Sequence, residues 1–280
     1  MISLTQELLS RVIDLPYKEP ELCDVAICTP FYKASSHVFR YLDGLEHLDW
    51  DKSRLALNFL ISEDPVTLDI LKEYKKSFDN LYKSIKIKET KRLHGVSKVK
   101  NITVARKHLV QMSKPYDVFF IDSDVVVTPK SLKKLKNIND SGHGISGGLY
   151  LMLNSDSETK ELRIGVPMYV GDESKSYYLG FARLDGGEIH NGIFNKRINV
   201  DALATGCMLI KREVLDKIPF RYNIDGPSED LDFCFSSKKL GYDIIADTSI
   251  LCQHTPIPFK IESNMVKVFI NRNEVNISMV

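Results

Sequence analysis

The chain has 280 residues, 43% hydrophobic and 27% charged, with a formal net charge of +1. That length suits one large α/β domain or two small ones, and the near-neutral charge makes no global case for nucleic acid or an acidic tail. The five cysteines, Cys23, Cys28, Cys207, Cys234 and Cys252, are odd in number and scattered, so neither a zinc cluster nor a disulfide framework is expected.

Residues 1–20 read as a short amphipathic helix closed by Pro16 and Pro20, with no signal-peptide core. A short apolar strand runs from Asp24 to Pro30 and feeds a helix around His37 to Leu48, on which Val38, Tyr41, Leu42 and Leu45 share a face. A second strand, Leu55 to Ile61, ends at Glu63-Asp64, and Pro65 opens the next helix. A third strand is predicted at Tyr82 to Ile87 and a helix at Asn101 to Gln111. Strands alternating with helices in this way predict a mostly parallel, Rossmann-like α/β sheet, with the strand ends gathered at one crevice.

The most informative stretch follows. Val118 to Ile121 has the length and β-branched or aromatic content of a strand buried on both faces, and it stops at Asp122-Ser123-Asp124. In extended chain the two aspartates point the same way, offering hard oxygen ligands to Mg²⁺ or Mn²⁺ where open α/β sheets bind ligands. Thr128 is the expected cap, and Pro129 the first position, of a helix bearing Leu132 and Leu135.

Beyond residue 136 the pattern changes. Leu149 to Leu153 reads as a strand, and residues 154–200 form a polar insertion with short strands at 163–170 and 177–184. A strand at Ala204 to Ile210 precedes a helix at Lys211 to Ile218, and Ser228-Glu229-Asp230 opens a further helix ending near Gly241. Short strands are predicted at Asp243 to Ala246 and at Ser249 to Cys252, the latter leading to His254. The tail, 260–280, reads as an edge hairpin around Asn271-Arg272-Asn273. The chain is thus expected to divide into a nucleotide-binding half (22–136), an acceptor-side half (137–256) and a C-terminal tail (257–280).

Each candidate site residue has a plain structural alternative. Acids in a first turn complement the helix dipole without catalytic work, which applies to Glu229 and Asp230. A histidine at a strand end is usually a neutral, hydrogen-bonded one, Arg106 has solvation as its alternative, and the lysines between 72 and 100 read as solvated faces or, alternatively, as a surface for anionic lipid.

The order of these features, a nucleotide-type strand and turn, an acidic second strand end, Asp-x-Asp, Gly-rich strands, Glu-Asp on a helix and a late histidine, resembles the nucleotide-sugar glycosyltransferases of GT-A fold, particularly family 2-like enzymes. The resemblance spans residues 22–256 and rests on motif order. It implies that Thr29, Pro30 and Tyr32 lie along the nucleotide, that Glu63 or Asp64 meets base or ribose, and that Arg106 touches the nucleotide. It further implies that Asp122, with Ser123 beside it, reaches ribose and metal, that Asp124 and His254 ligate the metal, and that Asp230, flanked by Glu229, is the base. The expected activity is metal-dependent transfer of a hexose from a UDP- or GDP-sugar to a hydroxyl on a glycan, protein or lipid-linked acceptor, with inversion at the anomeric carbon. No nucleic acid partner and no membrane-spanning segment are expected, and the setting is cytoplasmic. Three rivals are set beside it. A sugar-phosphate nucleotidyltransferase calls for a glycine in the turn at Thr29 to Lys33, which has none; a phosphatase using Asp-x-Asp calls for the motif on the first strand; a non-enzymatic nucleotide-sugar binder would keep the metal site without transfer.

Overall fold

The computed structural model describes residues 9–20, 23–150, 152–155, 162–170, 177–183, 195–224, 226–255, 259–262, 265–270 and 273–278. In chain order these form β1 (Val12–Ile13), β2 (Val25–Phe31), α1 (Val38–Glu46), β3 (Leu55–Ser62), α2 (Pro65–Phe78), β4 (Ser84–Thr90), α3 (Lys98–Met112), β5 (Asp117–Ile121), β6 (Val125–Val126), α4 (Ser131–Asp140) and β7 (Ile145–Tyr150). There follow β8 (Met152–Ser155), β9 (Leu162–Val170), β10 (Tyr177–Arg183), β11 (Arg197–Val200), β12 (Ala202–Leu203), β13 (Cys207–Ile210), α5 (Arg212–Lys217), α6 (Glu229–Lys239), β14 (Ile244–His254), β15 (Phe259–Glu262), β16 (Met265–Ile270) and β17 (Asn273–Ser278).

One sheet runs through both expected halves, in the order β1-β11-β14-β7-β13-β5-β2-β3-β4, with β6 attached to β14. The pairs β2–β3, β3–β4, β2–β5 and β7–β14 are parallel, while β13 runs antiparallel between β5 and β7. The sheet is therefore parallel in its nucleotide half and mixed beyond it, as the sequence predicts. β5 is central because its period-two pattern is apolar on both sides. Val118 and Phe120 pack with Met208, Phe220 and Phe233 on one face, Phe119 and Ile121 with Phe59, Leu132 and Cys252 on the other, and these four side chains are fully buried. Each such side chain contributes about 1.5–3 kcal/mol of burial, so the register of β5 is strongly fixed.

Several expectations are corrected. Val12 and Ile13 are a strand paired with Ile198 and Arg197, not part of a helix through residues 1–20; residues 1–8 lie outside those described. The third strand is shifted to Ser84–Thr90, because Tyr82 is drawn under α2 by a 2.9 Å bond between its hydroxyl and that of Tyr74. Thr128 caps nothing: α4 starts at Ser131, and the Pro129 carbonyl accepts the Asp49 amide at 2.8 Å. The two short strands expected near 243–252 are one long strand, β14, whose register against β7 breaks between Ala246 and Leu251. This bulge packs Ile250 onto β7, where Gly148 is required, since a Cβ there would lie 2.5 Å from Ile250 Cγ2. The strands expected at 163–170 and 177–184 are present as β9 and β10; β16 and β17 pair as the tail hairpin, but with β15 they form a separate three-stranded sheet rather than an edge of the main one. Residues 156–161, 171–176 and 184–194 of the 154–200 insertion lie outside the described residues. Among the described residues no helix is long and apolar enough to cross a membrane.

Candidate active site

The Asp-x-Asp segment is a turn. The Val125 amide donates to the Asp122 carbonyl at 2.9 Å, and the Asp122 amide to the Gly206 carbonyl at 3.2 Å. The two carboxylates consequently diverge, rather than pointing the same way as extended chain requires. Asp122 accepts from Arg106, whereas Asp124 faces His254, whose Nε2 lies 3.4 Å from Asp124 Oδ2. This pairing is made by backbone: β6 lies against the end of β14 with His254 opposite Val125, and the Thr255 amide donates to the Asp124 carbonyl at 2.8 Å. Desolvation opposes ionisation of Asp124, but contact with His254 and its charge outweigh it, so the carboxyl sits below its ordinary range. The imidazole also lies against Tyr150, with ring centroids 5.3 Å apart.

Arg106 is 2% exposed on α3. Its Nη2 donates to Asp122 Oδ1 at 2.9 Å and its Nε to Glu229 Oε1 at 3.4 Å, and the guanidinium lies over Phe120, 5.0 Å from the ring centroid. The flanking carboxylates hold the Arg106 pKa above its ordinary value in spite of desolvation. Glu229 is 5% exposed, and desolvation raises its pKa to about 7, with Arg106 opposing and Asp230 adding to the rise. Asp230 is half-buried, accepting from the Ser228 hydroxyl and, at 2.9 Å, from the Leu231 amide. Tyr150 stands among these acids: desolvation pushes its hydroxyl pKa well up, and the charges of Asp122, Asp230 and Asp124 push it further. The ring reaches this place only because residue 206 is glycine, since a Cβ there would lie 2.7–2.8 Å from the Tyr150 ring and hydroxyl.

At the carboxyl ends of β2, β3 and β4 lies a cavity of about 270 Å³, walled by Pro30, Phe31, Ile102, Val104 and Ala105 and rimmed by Lys91, Arg92 and Lys98. Tyr32, 40% exposed, also lines it and carries the Arg92 guanidinium 3.8 Å from its ring centroid. Thr29 does not face this space: it is fully buried, with its hydroxyl bonded to that of Tyr41. Asp64 is 8% exposed and spent on structure, accepting from the Ala34 amide at 2.6 Å and from the Thr67 amide and hydroxyl. Glu63, at φ +50°, turns outward to His94 at 3.4 Å. Ser123 forms the tip of the turn, partly exposed. The sequence therefore placed Pro30 and Tyr32 at the cavity and brought Asp122, Asp124, His254, Arg106, Glu229 and Asp230 together, but missed Tyr150, Arg92 and Lys98. Lys98 belongs to the lysines that read as solvated faces, and Arg92 carries no signal in the sequence. The loop after β4 that carries Arg92 leaves no periodic signal, and Lys98 stands at the very start of α3.

A cation has suitable donors here. The Asp124 carboxylate and the His254 imidazole face each other, and His254 Nδ1 is buried with no partner among the described residues. Among the described residues no three His, Cys, Asp or Glu side chains converge tightly enough to hold an ion unaided. The donor set thus fits an ion such as Mg²⁺ or Mn²⁺ that takes one or two protein ligands and completes its shell with phosphate oxygens.

The sequence matches no protein-family model and no curated protein. Among solved structures, the mannosyltransferase PcManGT from Pyrobaculum calidifontis, in complex with GDP-Man and Mn²⁺, superposes with a TM-score of 0.58 at 13% identity, over 89% of this chain and 62% of that one. The fold is that of the GT-A nucleotide-sugar glycosyltransferases. S. aureus TarS 1–349 in complex with UDP-GlcNAc gives a TM-score of 0.55 at 16% identity, over 86% of this chain and 59% of that one. The same protein with UDP gives 0.54 at 16%, over 83% and 61%. The chain thus spans about three fifths of the length of the GT-A structures it resembles.

Proposed function

We propose that this chain is a glycosyltransferase that moves a sugar from a nucleoside diphosphate sugar to a hydroxyl acceptor with the help of Mn²⁺ or Mg²⁺. The observation that carries the reading is the meeting of Asp124 with His254 just past the end of β5, on a GT-A fold in which Asp122, Asp124 and Asp230 all act on Tyr150. A nucleoside seated in the cavity against Tyr32 and Arg92 would bring its diphosphate toward Asp122 and Asp124. Asp124 and His254 would hold the cation, which would supply positive charge against the leaving diphosphate. Asp230 is the group assigned to accept the proton of the attacking hydroxyl, which makes the transfer inverting; its carboxylate is half-buried and, among the described residues, accepts from Ser228 and Leu231 of its own turn. Glu229 beside it is engaged as a counter-ion to Arg106.

UDP- and GDP-sugars are the proposed donors, and a glycan, protein or lipid-linked hydroxyl is the proposed acceptor. We place the protein in the cytoplasm, a setting that keeps its five free cysteines reduced. The test is thermal stabilisation by UDP-GlcNAc and GDP-mannose with and without Mn²⁺, followed by release of UDP or GDP from the stabilising donor. Ligand at about a hundredfold over its Kd adds roughly 2.7 kcal/mol to stability, well within reach of a melting assay. No stabilisation by any nucleoside diphosphate sugar, with either metal, overturns the reading.

A further inference from the structure

We infer that Arg106 is a positioning residue that ties the Asp122 turn to the first turn of α6 and thereby sets where Asp230 stands relative to Asp122 and Asp124. The inference rests on the transferase reading above. The two carboxylates that Arg106 joins belong to different parts of the sheet: Asp122 follows β5, and Glu229 opens the helix that precedes β14. The guanidinium is enclosed between them and Phe120 at 2% exposure; its Nε and Nη2 are held by the two carboxylates, and its buried Nη1 has no partner among the described residues. A buried ion pair is strongly disfavoured when one partner is removed, yet an apolar pair of similar volume is tolerated. That contrast separates holding the fold from positioning the base. Glu229 and Asp230 are consecutive, so anchoring the first orients the second. An ammonium cannot span both carboxylates with directed bonds as a guanidinium does, which makes arginine specific to this role.

The experiment compares Arg106→Met, Glu229→Met, the double Met variant, Arg106→Lys and Glu229→Gln for melting temperature, for affinity toward UDP-GlcNAc and GDP-mannose with Mn²⁺, and for kcat and KM of donor hydrolysis. The double variant is expected to fold and bind donor nearly as the unaltered protein does, while kcat falls about a hundredfold, the cost of a misplacement of about an ångström. Arg106→Lys is expected to fold without recovering kcat, and Glu229→Gln, which keeps an acceptor for Nε, to retain most of it. Full kcat in the double variant overturns the inference. So does a loss that falls on donor affinity alone, which would make Arg106 a donor contact, or a Glu229→Gln variant as inactive as Asp230→Asn, which would make Glu229 the base. If the unaltered protein binds neither donor, it is the transferase reading that fails. The tie is then read from stability: single Met variants each less stable than the double uphold it, and additive losses refute it.

Discussion

His254 Nε2 stands 3.4 Å from Asp124 Oδ2 because a two-residue strand, Val125–Val126, hydrogen-bonds to the last residues of β14. The candidate cation site is therefore a product of sheet topology: the ladder that ends β14 delivers an imidazole to the turn that ends β5. Asp124→Ala is expected to abolish the Mn²⁺-dependent part of donor stabilisation, and His254→Ala to weaken it, with little change in the melting temperature of the free protein. Calorimetric titration of donor with and without Mn²⁺ measures both.

Asp230→Asn preserves the size of the side chain and the acceptor oxygen that binds Ser228 and Leu231. Donor affinity is expected to stay, and turnover to fall by about 10²–10⁴-fold, the usual contribution of a positioned general base. Unchanged turnover would remove the base assignment while leaving the donor site standing.

Arg92 lies over Tyr32 at the cavity rim, 3.8 Å from the ring centroid. Arg92→Ala is expected to weaken binding of UDP and GDP with or without Mn²⁺, by removing a cation from the cavity rim and the support of the Tyr32 ring against which the nucleoside is proposed to rest. Independence from the metal separates this cavity from the Asp124–His254 pair in the same titrations.

Gly206 is held to glycine by the Tyr150 ring and hydroxyl, 2.7–2.8 Å from where a Cβ would stand. Gly206→Ala is expected to cost about 1–3 kcal/mol by overpacking, read as a drop of several degrees in melting temperature. Because the Gly206 carbonyl also accepts the Asp122 amide, donor affinity is expected to fall with it.

Glu229 carries a pKa raised by burial from an ordinary 4.5 to about 7. The folded chain then binds more protons than the unfolded one between these values, so this group makes stability fall as pH rises through that window. Glu229→Gln removes this contribution, and its melting temperature should decline less between about pH 4.5 and 7 than that of the unaltered protein. Parallel melting curves across the window would contradict the assigned burial.

Much of this architecture is legible in the residue order because β5 is apolar from Val118 to Ile121 and α1, α2 and α4 repeat their apolar residues at helical spacing. The acids at 122, 124, 229 and 230 are legible because each lies where a strand ends or a helix begins. What is not legible depends on contacts distant in sequence. The two residues of β6 are too few for any period, the bulge in β14 is set by Gly148 meeting Ile250, and Asp64 looks like a ligand contact until the Ala34 amide is seen to occupy it. The divergence of Asp122 from Asp124 has the same origin, since the turn is fixed by Gly206 on one side and Thr255 on the other.

The central claim is tested most directly by anomalous scattering from crystals grown with Mn²⁺ and either UDP or GDP. A metal peak between Asp124 and His254, bonded to the diphosphate, with the nucleobase against Tyr32, is the expected result. A nucleotide seated elsewhere, or a diphosphate bound with Mn²⁺ away from both side chains, would contradict it.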